Sequence, residues 1–343
     1  MRRKKSSKEI TIKDVAREAG ISYSTVSRVV NNKEYVKPAT RQRVLAAMNK
    51  LGYQANLQAR SLAGGRTNVI GLLVHDIASP YTGELIRGID DILGANDYEL
   101  MVYTTHRRKN KEPKFVATMA RGLTEGLLIV LPVQAEKYIE NLRERNFPYV
   151  LIDQNSEDSQ APSVTSANLE GACEAVEHLI TLGHRRIGVI TGWMDIAGAR
   201  DRLAGYKRAL AKHNIPFDPE LVVEGDFTPP SGYAGTEKLL QLNNPPTAIF
   251  PSNDDAALGT IEAIKAAGLH VPEDISVIGF DDVPLAANLS PKLTTVRQPI
   301  EDVGKMATQM LLSIIDNPEQ EIEHIVLPTE LIIRESTTSP PNK

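Results

Sequence analysis

At 343 residues the chain is too long for one ordinary hydrophobic core and implies two or three domains. Its 41% hydrophobic content is that of a globular protein, and no run approaches the roughly 20 apolar residues a membrane-spanning helix needs. The net charge of −4 conceals an asymmetry: residues 1–66 carry 15 Lys and Arg against 4 Asp and Glu, the remainder 24 against 39, so a basic end suited to a polyanion adjoins a weakly acidic body.

The opening MRRKKSSKEI is basic but leads into no apolar run, so it reads as an arm for phosphate attraction and as neither a secretory signal nor an anchor. Residues 11–32, TIKDVAREAGISYSTVSRVVNN, follow as two short helices joined by a tight turn. Thr11 suits an N-cap, Ile12, Val15, Ala16 and Ala19 form an apolar stripe, and Gly20 permits the bend. Ser22 caps a second helix with Val26 and Val29 inward and Tyr23, Ser24, Ser27 and Arg28 on its other faces, the pattern of a helix-turn-helix. An ordinary helical hairpin shares this short pattern. Pro38 opens a third helix, 39–51, which Gly52 stops. The three helices enclose an expected miniature core of Ile12, Val15, Ala16, Ile21, Val26, Val29, Val44, Leu45 and Met48. Residues 53–67 form a linker with helical propensity that ends near Gly64-Gly65 and is too short to be stable as an isolated helix.

From Val69 onward, short apolar runs alternate with amphipathic segments, which indicates parallel sheets covered on both faces. Strands at 69–74, 98–103, 126–131 and 149–152 build one α/β unit, and strands at 187–191, 221–223, 248–250 and 276–280 a second. The strand 293–296 and the helix 300–315 come late enough to cross back to the first unit. Cys173, in the helical run GACEAVEHL, reads as a buried structural thiol in a reduced cytoplasm, and His184 as a residue packed at a helix end.

Ligands of open α/β sheets bind beyond the carboxyl ends of the strands. Those ends carry Asp76, Ser79 and Tyr81, then Asp153, Trp193, Phe227, Asn253 with Asp254, and Asp281 with Asp282. Carboxylates and an amide suit hydroxyl pairs, and the aromatic rings suit the apolar face of a sugar or base. For Asp254 and Asp282, which directly precede helices, capping a helix N-terminus competes with ligand contact. Arg200 and Arg202 are two apart on a helix, so only one of them enters a cleft.

The runs TIKDVAREAGISYSTVSRVVNN, LGYQANLQARSLAGGRTNVIGLLV, HLITLGHRRIGVITG, RDRLAGYKRAL, SNDDAALG, VPEDISVIGFDD and LTTVRQPIEDVG, in this order, resemble the LacI/GalR family of bacterial transcription regulators from about residue 11 to residue 337. The resemblance implies an all-α helix-turn-helix headpiece joined to a two-lobed, periplasmic-binding-protein-like (type I) α/β effector domain with parallel sheets. The expected boundaries are a headpiece at 1–54, a hinge helix at 55–67 and an effector and dimerisation domain at 68–337, followed by a tail at 338–343. One lobe is expected at 68–168 plus 298–318, the other at 169–291 plus 320–337.

The resemblance further implies a homodimer on double-stranded operator DNA, with no cofactor, no metal and no membrane, acting in the cytoplasm at the nucleoid. Base readout falls to Tyr23, Ser24 and Arg28, and phosphate contact to Thr11, Thr25, Ser27, Asn31 and Thr40. Asn56, Ala59 and Leu62 fall in the minor groove, with Leu62 as a wedge. The effector, a sugar, sugar phosphate or nucleoside, falls by the resemblance to Asp153, Arg202, Phe227, Asn253 and Asp281, to which the strand-end reading adds Ser79, Tyr81 and Trp193. One departure from the family pattern is Ala167, where an Asp usually precedes the Asn at 168. An exported sugar-binding protein would explain only the body, and an α/β enzyme neither the basic head nor the absence of G-x-G-x-x-G, G-x-x-x-x-G-K-[ST], H-E-x-x-H and G-x-S-x-G motifs.

Overall fold

The computed structural model describes residues 10–30, 35–53, 66–133, 136–154 and 161–341. The expected contacts Asn31, Asn56, Ala59 and Leu62, the basic arm at 1–8 and most of the hinge segment lie outside these residues.

The head consists of α1 (Ile12–Ala19), α2 (Tyr23–Val30) and α3 (Pro38–Leu51). The Asp14 carboxylate accepts from both the amide and the hydroxyl of Thr11, and Gly20 ends α1 in the left-handed region at φ 61°, so the chain turns tightly into α2. Ser22 Oγ receives the Thr25 amide at the start of α2. Val15, Ala19, Val26, Val29, Val44 and Ala47 form the buried core, flanked by Ile12, Ala16, Ile21 and Met48. Leu45, expected in that core, is instead 46% exposed. Val44, Ala47 and Met48 define the inward face of α3 at i, i+3, i+4 spacing, which turns Leu45 about 100° away.

Two sheets make up the body. The first joins β1 (Val69–Val74), β2 (Glu99–Thr104), β3 (Gly126–Val130), β4 (Tyr149–Ile152), β5 (Ser163–Ser166) and β11 (His324–Leu327) in the order β11-β5-β4-β3-β1-β2, all pairs parallel. The second joins β6 (Ile187–Ile190), β7 (Val222–Val223), β8 (Ala248–Pro251), β9 (Ser276–Asp281), β10 (Thr294–Arg297) and β12 (Glu330–Ile332) in the order β12-β10-β9-β8-β6-β7, with β12 antiparallel to β10. Helices α4 (Pro80–Ala95), α5 (Glu112–Met119) and α6 (Glu136–Glu144) cover the first sheet. Helices α7 (Asn168–Thr181), α8 (Ala197–Lys212), α9 (Pro229–Leu240), α10 (Asp254–Ala266) and α11 (Pro284–Asn288) belong to the second. The final helix, α12 (Ile300–Asp316), returns to the first sheet and buries Ile300, Val303, Ala307 and Leu311 in its core.

The chain thus crosses between lobes after β5, after β10 and between β11 and β12. Three expectations need correction here. The strand at 294–297 stays in the second sheet and only the helix after it crosses back, because β10 finds its partner edge on β9. The strand at 324–327, expected in the second lobe, extends the first sheet by pairing with β5. The segment at 338–341, expected as a tail, is fastened to the second lobe, where the Thr338 amide donates to Ser276 Oγ and the Thr338 carbonyl lies 2.8 Å from Nε2 of buried His184.

Helices α4 and α12 approach so closely that a Cβ on Gly88 would collide with the backbone carbonyl of Glu301. Backbone cannot yield as a flexible side chain can. Gly88→Ala should therefore cost about 1–3 kcal/mol of stability, read as a lowered urea midpoint with unchanged m-value. An unchanged midpoint would show that the helix pair repacks freely.

Candidate functional site

The carboxyl ends of both sheets face each other across a cavity of about 390 Å3, a size suited to a small ligand. Each expected effector residue lines it: Ser79 and Tyr81 after β1, Asp153 after β4, Trp193 after β6, Arg202 on α8, Phe227 after β7, Asn253 after β8 and Asp281 at the end of β9. Asp76 joins them. Leu131, Asp153, Phe227 and Asp281, all lining residues, have positive φ of 49°, 55°, 66° and 114°. Such sparsely populated backbone persists only where the surroundings enforce it and clusters at functional sites. Gly192 serves the same end, since a Cβ there would occupy the space of the Phe227 ring.

Arg202 is the centre of this constellation, only 7% exposed. Its Nε donates to Asn168 Oδ1 at 2.9 Å, its Nη1 donates to the Ser252 carbonyl, and its Nη2 lies 3.5 Å from Asp281 Oδ1. The guanidinium also sits 3.9 Å from the ring centroid of Phe280. Asp281 accepts from Gln298 Nε2 at 2.6 Å. Burial pushes the Asp281 carboxyl up while Arg202 opposes the shift. Asp153, hydrogen-bonded by the Tyr81 hydroxyl and by Thr165, is likewise raised by burial. Asp255 is raised by burial and then by the nearby Asp76 charge. These carboxyls are poised to exchange hydrogen bonds with hydroxyl groups and poorly placed to meet further negative charge.

The remaining strand-end carboxylates turn away from the cavity. Asp254 is fully buried, accepting from the Val283 amide at 3.0 Å and the Thr295 hydroxyl at 2.6 Å, so it ties α10 to the strands behind it. Asp282 pairs with Arg297 and Arg334. Arg200 points outward onto the carbonyls of Met194 and Asp195, leaving Arg202 as the arginine in the cleft.

On the head, Tyr23, Ser24 and Arg28 of α2 are exposed while Val26 and Val29 are buried. Thr11 is exposed, and Thr25, Ser27 and Thr40 are half-buried. Thr25 Oγ1 is 2.8 Å from Ser22 Oγ, so its hydroxyl already takes part in the cap.

Residues 11–56 match the family described as bacterial regulatory proteins, lacI family, and residues 176–337 match the periplasmic binding protein-like domain. A Bacillus subtilis (strain 168) protein named "Probable HTH-type transcriptional repressor ExuR" is 37% identical over 332 residues, covering 95% of this chain and 98% of that protein. The chain belongs to the lacI family. Among solved structures, the lac repressor dimer bound to operator and the anti-inducer ONPF aligns with a TM-score of 0.82 at 31% identity, covering 96% of this chain and 100% of that one. The complex of the transcriptional regulator CelR with cellobiose aligns with a TM-score of 0.74 at 31% identity, covering 95% and 99%.

Among the lining residues of this LacI-family cleft that escaped the sequence reading are the polar groups His75, Arg107, Asn168 and Asp255. Asp255 follows Asn253 and Asp254 directly, and the choice between adjacent carboxylates is decided by helix phase alone. Asn168 stood beside the family departure, Ala167. Ala167 lies at the crossover after β5, where its amide donates to the Leu327 carbonyl, while Asn168 orients Arg202. His75 immediately follows β1 and Arg107 lies in the turn after β2, so the strand-end rule reached their neighbourhood without singling them out.

Behind His75 lies a buried acid. Glu112 accepts from the Tyr138 hydroxyl at 2.8 Å and from the Val133 amide at 3.1 Å, and burial, opposed by those bonds, raises its pKa from 4.5 to about 7. A raised carboxyl stabilises the fold fully below its unfolded pKa, and that contribution is lost as the pH rises through the folded one. Glu112→Gln keeps an acceptor for both donors, so its stability relative to the native chain should rise by roughly 2 kcal/mol between pH ~5 and pH ~8 in urea titrations. A pH-independent difference would mean that Glu112 ionises as it does in water.

Proposed function

We propose that this chain is a homodimeric, sequence-specific DNA-binding repressor, acting at the bacterial chromosome in the cytoplasm, whose operator affinity is set by a small neutral polyhydroxyl ligand, a sugar or sugar derivative, bound between the lobes. It acts by binding and not by catalysis. The observation that carries this reading is the union on one chain of a basic helix-turn-helix head, with Tyr23, Ser24 and Arg28 outward, and a cavity lined by strand-end carboxyls, an amide and aromatic rings around Arg202. The lac repressor dimer with operator and the CelR complex with cellobiose support the partners assigned here.

Charge selects among ligand classes. Asp76, Asp153, Asp255 and Asp281 line the cavity against Arg107 and Arg202, and both guanidinium groups already face carboxylates. A phosphate would add charge beside carboxyls that burial already pushes toward protonation. A sugar ring instead offers hydroxyls to Asp153, Asn253 and Asp281 and an apolar face to Phe227. Ligand-driven change in lobe angle would alter the spacing of the two linkers and so the seating of both heads, a coupling that must work equally in reverse.

Thermal-shift measurements on the full chain should show a rise in melting temperature with particular neutral mono- or disaccharides. Arg202→Ala and Asp281→Ala should abolish it. Stabilisation by sugar phosphates alone would overturn the charge argument. On duplexes selected by the chain from a random pool, Arg28→Ala should cost about 1–3 kcal/mol of binding and relax one position. Equal loss on unselected duplex would reassign Arg28 to phosphate contact.

A further inference from the structure

We propose that Arg107 is a latch that holds the two lobes together across the mouth of the cleft, with Trp193 as its seat. Arg107 belongs to the turn after β2 of the first lobe, whereas Trp193 and Asp226 follow β6 and β7 of the second. The Arg107 guanidinium lies 4.7 Å from the Trp193 ring centroid, and its Nη2 donates to the Asp226 carbonyl. On its own lobe, Nη1 is 3.5 Å from Asp76 Oδ2, and the Asp226 carboxylate is 3.9 Å away across the gap. One side chain thereby joins the first lobe to two strand ends of the second by stacking, hydrogen bonding and charge together.

The turn is built to deliver that side chain. His106 and Arg107 are both left-handed, at φ 51° and 59°, a conformation that side-chain-bearing residues seldom adopt in succession. The Arg107 amide donates to the His75 carbonyl at 3.0 Å, the His106 amide to Thr104 Oγ1 at 3.1 Å and the Arg108 amide to the Thr105 carbonyl at 3.1 Å. The seat is held from the same lobe: the His75 ring meets Trp193 edge-on at 5.7 Å, and His75 Nε2 is fixed on the Leu131 carbonyl at 2.7 Å. Trp193, a residue of the second lobe, therefore touches two first-lobe groups.

Covalent crossovers join the lobes at the hinge, after β5, after β10 and between β11 and β12, and rotation about them opens the opposite rim. Arg107 sits on that rim. Its contacts form only when the lobes are near each other, so they bias the lobe equilibrium toward closure by their own free energy. The proposal takes the cleft to be the part that moves, but its test needs no effector, so an unproductive sugar screen and a failed latch are separate results.

Trp193 is the single tryptophan of the chain, so selectively excited emission reports the seat alone. In the full chain, Arg107→Ala should raise the acrylamide quenching constant of that emission about twofold or more, with far-ultraviolet circular dichroism unchanged. Arg107→Lys, which keeps the charge but not the flat stack, should fall between native and Arg107→Ala. Arg208→Ala on α8, which removes an exposed pair with Glu170 on α7, should leave quenching at the native value. Arg107→Gln, closer in length, provides the same reading if Arg107→Ala does not fold. Native quenching in a folded Arg107→Ala or Arg107→Gln chain would overturn the latch, as would an equal rise in Arg208→Ala.

Discussion

Burying one guanidinium between two lobes is the constraint around which this body is organised. A charge taken out of water is tolerable only when its donors are met and an opposite charge is near. Arg202 satisfies this through Asn168 at the crossover after β5, the Ser252 carbonyl after β8 and Asp281 at the end of β9. Three strand ends must therefore keep their relative positions. The positive-φ residues nearby are the local cost of bringing polar groups to one point.

The same arrangement defines what the cavity can discriminate. A guanidinium already shared with a carboxylate adds orientation and little net attraction for anions, and acids raised by burial resist further negative charge. In the function proposed above, selectivity rests on hydrogen-bond geometry toward hydroxyl groups and on the Phe227 face, where an unmatched buried polar group is penalised strongly. Glu112 extends this polar layer behind the wall that His75 lines, so the cavity is backed by groups that are themselves held.

Head and body solve different physical problems on one chain. The head buries only a handful of small aliphatic residues, enough for three short helices, and spends its surface on positive charge. The body invests in two sheets covered on both faces, joined by crossovers of the kind about which lobes close on a ligand. Arg107 and Trp193 then act on that closure at the rim, where small contacts have the longest lever.

The sequence by itself determined the class of each part. Helical stripes with Gly20 and Gly52 as stops specified the head, because caps and periodicity are local properties. Continuous apolar runs such as VIGLLV and GLLIV specified buried parallel strands, and the strand-end rule brought eight candidate side chains to one cavity. Tertiary structure decided what depends on partners distant in sequence. SVTS carries no strand pattern of its own and becomes β5 only by pairing between β4 and β11, while β10 and β11 take the sheets whose edges receive them. Leu45 left the core through helix phase, and Asp254 left the cavity because the Val283 amide and the Thr295 hydroxyl were closer claims on its oxygens. Arg107 entered the cleft through a left-handed turn, which neither composition nor periodicity encodes.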